Sequence, residues 1–174
     1  QMCIRDRGKR SIELDLKNPK DLELAKRIIY SSDALIEGFR PGVMENLGLG
    51  PDELMEEHPS LIYGRMTGWG QSGPRSKQAG HDLNYIGLSG ALWYASHPNT
   101  PPFTPPALVG DVGGGALYLV IGILSALLDS KESKKGTVID AAIVDGSAHM
   151  MNLFMSLQNT GMFSTERGLS LIHI

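Results

Sequence analysis

The sequence lacks the features that mark several common classes of protein. Cys3 is its single cysteine, so no internal disulfide can form, and we expect a protein of the reducing cytoplasm. The formal net charge is -3 and no long basic stripe is present, which argues against a nucleic-acid partner. The longest apolar run, residues 116–128, is shorter than the ~20 residues that span a membrane. It therefore predicts a buried helix and no membrane partner.

Short motifs of well-known sites are also missing. The sequence has no P-loop, no zinc-ligand spacing and no G-x-S-x-G elbow, so no metal site is predicted. The glycine-rich "GDVGGG" resembles a dinucleotide fingerprint only weakly, because the strand and helix context that such a fold requires does not surround it.

Apolar residues in the first 70 positions alternate between the spacing of strands and that of helices. Strand patterns occupy residues 9–19, 33–39 and 60–70. Helix starts lie between them at Asn18-Pro19 and at Pro51, each with proline at the first helical position. This alternation predicts an α/β fold, namely a Rossmann-like parallel sheet with flanking helices.

The second half of the sequence continues the same pattern. Residues from Asp82 onward have helical spacing, and a proline-rich connector then precedes an apolar helix at about 114–129. Residues 136–144 predict a fourth strand. Asp145 or Ser147 is then expected to cap a last helix that ends near Gly161.

Ligands of parallel α/β sheets bind beyond the carboxyl ends of the strands. In this sequence those ends carry the loops "EGFRPG" and "TGWGQSGPRSKQAGHD". In or beside these loops lie four cations suited to phosphate groups: Arg40, Arg65, Arg75 and Lys77. Solvated surface residues would give the same pattern, so the sequence alone leaves both interpretations open.

Two acidic residues at predicted helix starts are candidates for chemistry. Asp82 follows His81 at the start of one helix, and Asp111 precedes three glycines at the start of another. Free N–H groups at such positions can hold an anion or a developing oxyanion. Aspartate before a helix is also the usual N-cap, and glycines there also permit tight helix packing. Both interpretations stay open at this point.

Three longer segments resemble those of one enzyme family. "LIEGFRPGVMENLGLGPDEL", "LIYGRMTGWGQSGPRSKQAGHDLNY" and "LVGDVGGGALYLVIGILSALL" are similar to the α-methylacyl-CoA racemases of the family III CoA-transferase superfamily. The resemblance covers about residues 7–168, and "GHDLNY" together with "GDVGGG" makes it quite specific.

The resemblance implies a racemase that acts on 2-methyl-branched acyl-CoA thioesters. His81 and Asp111 would be its two acid–base groups, one on each face of the substrate α-carbon. CoA would arrive as part of the acyl-CoA substrate, so no separate cofactor is expected. The residues that match the family's CoA contacts are Leu14, Asp15, Leu16, Lys17, Arg40, Gly80, Asp82, Leu83, Asn84 and Tyr85.

Two other functions remain open. In the CoA-transferases of the superfamily, the aspartate that matches Asp82 is a nucleophile and forms an acyl anhydride. A histidine directly before Asp82 and three glycines after Asp111 favour the racemase. The third function is that of an inactive CoA-binding fragment, because the family's first strand, its small domain and a further active-site acid lie outside this segment.

The resemblance also implies how the chain is organised. Residues 8–168 would form an incomplete large CoA-binding domain of the family III CoA-transferase fold. Residues 1–7 and 169–174 match nothing in the family and are interpreted as non-native ends. Relatives form interlocked homodimers, so the resemblance implies a homodimer for the whole protein. It also implies a role in fatty acid metabolism.

Overall fold

A computed structural model describes residues 8–95 and 97–167. Its centre is a three-stranded sheet in the order β1-β2-β3, and both strand pairs are parallel. The strands are β1 (Ala34–Glu37), β2 (Ile62–Thr67) and β3 (Thr137–Ala142). Because all three strands run the same way, their carboxyl ends meet at one edge of the sheet. The predicted α/β fold with a parallel sheet is confirmed.

Helices occupy the connections between the strands and cover the sheet. The Asn18-Pro19 start is confirmed, since Asn18 Oδ1 accepts a hydrogen bond from the Lys20 N–H at 2.9 Å. The helices are α1 (Pro19–Tyr30), α2 (Val43–Asn46), α3 (Pro51–Glu57), α4 (Asp82–Leu88), α5 (Leu117–Ser133), α6 (Ile143–Met150) and α7 (Asn152–Asn159). A 3-10 turn covers Ala91–Tyr94, and a π-helix, Leu108–Ala116, leads directly into α5.

The core divides between the two faces of β2, because neighbouring strand residues point to opposite faces. On one side, Tyr63 packs in a cluster with residues of α1, α2 and α3 such as Ile29 and Leu54. On the other, Ile62 packs against Leu119 and Ile123 of α5. The middle strand is therefore covered on both faces, as expected of a parallel sheet.

Two predictions of local structure are wrong. Residues 9–19 are not a strand: Gly8–Lys17 has neither helix nor strand, and none of the described strands pairs with it. Of the alternating apolar residues in this segment, Leu16 packs on the core whereas Ile12 is exposed, so the alternation does not mark one buried face. The last helix is in fact two helices, α6 and α7. The first starts at Ile143 directly after β3, so neither Asp145 nor Ser147 caps it.

The π-helix and α5 form one continuous helix of 26 residues, Leu108–Ser133. By length and composition alone it is the one described helix that is able to cross a membrane, and core helices of soluble proteins pass the same test. Leu119 and Ile123 pack against the sheet, whereas Ile121 and Leu128 on this helix are exposed. The prediction of a buried helix is therefore wrong for most of this segment, because α5 buries only Leu119 and Ile123. The helix also extends further than predicted, through the glycines to Leu108.

The π-helix and α6 approach each other through glycine. A Cβ at Gly146 would overlap the carbonyl oxygen of Gly114, and a Cβ at Gly114 would lie 2.7 Å from the backbone nitrogen of Ser147. A Cβ at Gly115 would lie 2.6 Å from Met66. These contacts support the packing interpretation of the glycines after Asp111, since no side chain fits between the two backbones.

Replacement of Gly146 by alanine is expected to destabilise the protein by about 1–3 kcal/mol or more, because the two helix backbones must separate. Gly87→Ala within α4 is the matched control. A Cβ there meets only Leu92, at 3.8 Å, and helix propensity predicts a gain of about 0.5–1 kcal/mol. Urea denaturation of both variants measures the difference. Equal midpoints for the two variants would contradict the proposed tight packing.

Candidate active site

A cleft of about 290 Å³ opens at the carboxyl edge of the sheet. It lies between the loop after β1 and the long loop after β2. Four residues singled out from the sequence line it together, namely Arg40, Gly80, His81 and Tyr85. The other lining residues are Gly38, Phe39, Pro41, Thr67, Gly68, Trp69, Ser76, Gln78 and Ala79.

His81 enters the cleft at the start of α4. It is the N-cap of that helix, with an extended backbone, and its N–H donates to Asn84 Oδ1 at 2.9 Å. Asp82 is therefore the first helical residue and not the N-cap. The side chain of Asn84, a predicted CoA contact, is engaged in fixing the backbone of the histidine.

The Asp82 carboxylate is buried and caps a different helix from its own. Its Oδ1 accepts hydrogen bonds from the backbone N–H groups of Gly110 at 2.7 Å and Asp111 at 2.9 Å. These N–H groups belong to the first turn of the π-helix, where no intrahelical acceptor exists. Its other oxygen, Oδ2, is buried and accepts no hydrogen bond from the residues that the structure describes. Asp82 thus joins α4 to the start of the π-helix.

Asp111 lies in the same cluster and is partly buried. Burial raises the pKa of its carboxyl group, the negative charge of Asp82 raises it further, and His81 opposes both effects. Burial also raises the pKa of the Tyr85 phenol, and the charge of Asp111 adds to that shift. Asp111 therefore lies within electrostatic range of His81, Asp82 and Tyr85, although it comes from a different helix.

Tyr85 forms the floor of the cleft. Two glycines face its ring so closely that no side chain fits: a Cβ at Gly80 would lie 2.7 Å from the ring, and one at Gly68 would overlap it. Trp69 meets the ring edge-on with centroids 4.8 Å apart, and Arg75 stacks on Trp69. The loop after β2 thus wraps around Tyr85, a contact with no signal in the sequence beyond the glycines themselves.

Arg65, predicted as a candidate phosphate ligand, instead belongs to a buried ion-pair network. Its Nε donates to Glu37 at 2.8 Å, and its Nη1 donates to Glu45 at 2.7 Å. Burial alone would lower the pKa of Arg65, but the hydrogen bonds to both glutamates raise it overall. The hydrogen bond from Arg65 in turn lowers the pKa of Glu45. Arg65 is 5% exposed, so no ligand in the cleft reaches it without rearrangement.

The same network supports the cleft loop that carries Arg40. Glu37 and Arg65 are register partners on β1 and β2, so their side chains leave the sheet on the same face. The second oxygen of Glu37 accepts a hydrogen bond from the Phe39 N–H at 2.7 Å. The buried carboxylate therefore fixes the first turn of the loop at residues 38–41.

Several predicted contacts lie apart from the cleft. Leu14, Asp15, Leu16 and Lys17 precede α1, where Asp15 accepts a hydrogen bond from the Lys17 N–H at 3.0 Å. Leu83 is 55% exposed on α4 and is absent from the cleft wall. Residues 8–95 and 97–167 contain no cluster of three or more side chains able to hold a metal ion. The predicted non-native ends at 1–7 and 169–174 lie outside the described residues.

Comparisons with known proteins give a consistent result. Residues 2–169 match the family described as CoA-transferase family III. Over 166 residues the chain is 42% identical to the mouse and 43% identical to the human α-methylacyl-CoA racemase, which covers 95% of the chain and 44% of each relative. It is 35% identical over 158 residues to acetyl-CoA:oxalate CoA-transferase of Acetobacter aceti, covering 90% of the chain and 40% of the relative.

The fold is also that of a solved member of this group. A CAIB/BAIF family protein from Brucella suis superposes with a TM-score of 0.84 at 32% identity, over 92% of this chain and 43% of that one. The chain thus spans less than half the length of the relatives that it matches.

Replacement of Arg65 by methionine is expected to destabilise the protein by about 3–5 kcal/mol, because Glu37 is left buried without its cation. Lys26→Met is the matched control. It removes one partner of the exposed Lys26–Glu53 pair, whose loss costs about 0–1 kcal/mol. Urea denaturation at neutral pH compares the two variants. If Arg65→Met costs no more than Lys26→Met, the network does not hold the cleft loop.

Proposed function

The chain belongs to CoA-transferase family III, and on that premise we propose that its protein epimerises 2-methyl-branched acyl-CoA thioesters by proton transfer at the α-carbon. One observation carries the proposal: His81 lines the cleft together with Arg40, and Asp111, from a separate helix, is hydrogen-bonded through its N–H to Asp82, the residue next to His81. The identity to two proteins named α-methylacyl-CoA racemase supports it.

Inversion at a carbon next to a thioester needs two acid–base groups on opposite faces. One group takes the α-proton, and the electron pair of the C–H bond moves into the enolate. The other group then donates a proton from the opposite face. Histidine suits this exchange because its ordinary pKa is near neutral. The raised pKa of Asp111 brings the carboxyl group closer to the same range.

The proposed substrate binds through its CoA part. Arg40 is exposed at the cleft wall, where a guanidinium pairs with phosphate oxygens. Phe39, Trp69 and Tyr85 give the same cleft an aromatic lining for the less polar part of the ligand. CoA is carried within the substrate, and no separate cofactor enters the proposed reaction.

CoA transfer to a carboxylic acid is the second candidate. It is favoured by the relatives named as CoA-transferases at 34–39% identity, and by the buried Asp82 Oδ2, which none of the described residues engages. In that reaction Asp82 attacks the thioester carbonyl, the C–S bond breaks, and CoA leaves as an acyl anhydride forms. Two hydrogen bonds already made by Oδ1 favour the racemase, because they hold the carboxylate against the π-helix.

Incubation of the whole protein with a single epimer in deuterium oxide tests the choice. The proposal expects the opposite epimer to form, with deuterium at the α-carbon. His81→Ala and Asp111→Asn are each expected to lower this rate at least 100-fold, since each removes one acid–base group. The matched control is His58→Ala at the amino ends of β1 and β2, away from the cleft, where the ring hydrogen-bonds the Ser32 carbonyl oxygen.

Two results would contradict the racemase. One is the absence of deuterium at the α-carbon together with acyl transfer to oxalate or succinate. The other is an acyl-enzyme trapped by hydroxylamine that disappears in Asp82→Asn. If the whole protein binds CoA and catalyses neither reaction, it is an inactive CoA-binding protein, the third function considered from the sequence.

The CoA contact is tested at Arg40. Arg40→Met is expected to raise the KM for the acyl-CoA about 10- to 100-fold with little change in kcat, because a charge-assisted hydrogen bond is worth about 1.5–3 kcal/mol. Arg27→Met on the exposed side of α1 serves as the control, since Arg27 does not line the cleft. An unchanged KM in Arg40→Met would place the phosphates elsewhere.

A further inference from the structure

We propose that the Asp82 carboxylate is a positioning group that sets the separation of the two acid–base groups, and that this side chain is neither a CoA contact nor a nucleophile. This inference rests on the proposed racemase function. It follows from the position of Asp82 between the two groups. Its side chain hydrogen-bonds the backbone of Asp111, and the residue itself directly follows His81 in the sequence.

The first step concerns what the Asp82 carboxylate contacts. Its Oδ1 accepts two hydrogen bonds, one from the Gly110 N–H at 2.7 Å and one from the N–H of Asp111 itself at 2.9 Å. Hydrogen bonds to a carboxylate are about twice as strong as those between neutral groups. The backbone of Asp111 is therefore held directly by Asp82.

The second step concerns how closely the two helices approach. A Cβ at Gly110 would lie 2.6 Å from Asp82 Oδ1, so any side chain at this position would displace the carboxylate. Gly110 is itself buried. The residue before Asp111 is therefore glycine for a physical reason, namely that the carboxylate occupies the space of a side chain.

The third step concerns why the π-helix needs an external partner. Its first i to i+5 hydrogen bond runs from the Val112 N–H to the Ala107 carbonyl at 3.0 Å, so the preceding N–H groups have no acceptor within the helix. Ala107 adopts a left-handed backbone with a φ of 60°, which an alanine rarely does. The helix start is thus held in place by its surroundings, and Asp82 supplies two of the bonds that hold it.

The last step connects the two acid–base groups. His81 is joined to Asp82 by a peptide bond at the start of α4, and Asp111 is joined to Asp82 by a hydrogen bond. One hydrogen bond, between Asp82 and Asp111 at 29 positions apart in the sequence, therefore links both groups. Loss of that link moves Asp111 relative to the substrate α-carbon while His81 keeps its own anchor to Asn84.

The test follows the α-proton of each epimer separately in the whole protein. Asp82→Ala is expected to lower kcat for epimerisation roughly 100-fold, the cost of a displacement of about 1 Å, with KM within about threefold of the wild type. Exchange of the α-proton with deuterium oxide persists for the epimer that faces His81 and is lost for the epimer that faces Asp111. Asp82→Asn keeps an oxygen for both N–H groups, so it is expected to retain most of kcat.

Gly110→Ala provides a second route that leaves the carboxylate intact. Its Cβ pushes Asp82 away from the π-helix, and we expect the same loss for one epimer only. Asp52→Asn on the exposed start of α3 is the control for removal of a carboxylate. Circular dichroism of each variant checks that it is folded. If Asp82→Ala does not fold, Gly110→Ala and Asp82→Asn carry the comparison.

Three results would overturn the inference. A rise in KM with kcat unchanged would make Asp82 a CoA contact. Equal loss of exchange for both epimers would show a general effect on the site. An Asp82→Asn variant as impaired as Asp82→Ala would mean that Asp82 acts through its negative charge and not by fixing the position of Asp111. Failure of the proposed function is seen separately, since the wild type then incorporates no deuterium from either epimer.

Discussion

The site depends on the requirement that buried N–H groups have an acceptor. The π-helix buries Gly110 in its first turn, and the carboxylate of Asp82, from another helix, accepts hydrogen bonds from the N–H groups of Gly110 and Asp111. The same contact determines where Asp111 lies and requires glycine at 110. The need for acceptors at the start of the π-helix therefore explains the position of Asp111, the presence of glycine at 110 and the burial of the Asp82 carboxylate.

A second buried charge organises the opposite wall of the cleft by the same logic. Glu37 needs a cation because it leaves the sheet into the interior, and Arg65, its register partner on the next strand, provides one. The other carboxylate oxygen of Glu37 accepts a hydrogen bond from the Phe39 N–H, in the loop at residues 38–41. Both walls are thus held by side chains that face away from the ligand space, while the residues that face it, such as Arg40 and His81, remain exposed.

The sequence predicts those parts of the structure that local patterning determines. The strands at 33–39 and 60–70, the start of α1 and the cleft at the strand ends follow from spacing, capping residues and the geometry of parallel sheets. It does not predict features set by distant contacts. The alternation at 9–19 resembles a strand, but a strand needs a neighbour to pair with. Arg65 and Asp82 have polar side chains of ordinary appearance, and their partners lie 20 to 29 positions away in the sequence.

The arrangement of the sheet also has a consequence for the order in which the chain folds. β1 and β2 pair across one short helical crossover, with the cluster around Tyr63 packed between α1, α2 and α3. β3 reaches β2 only after the whole of α4, the π-helix and α5 has been traversed, so its pairing closes a much longer loop at a greater entropic cost. The helices that bring His81 and Asp111 together all lie inside that loop. Molecules caught early in folding would therefore possess a formed first half, whereas the two candidate acid–base residues would not yet be assembled.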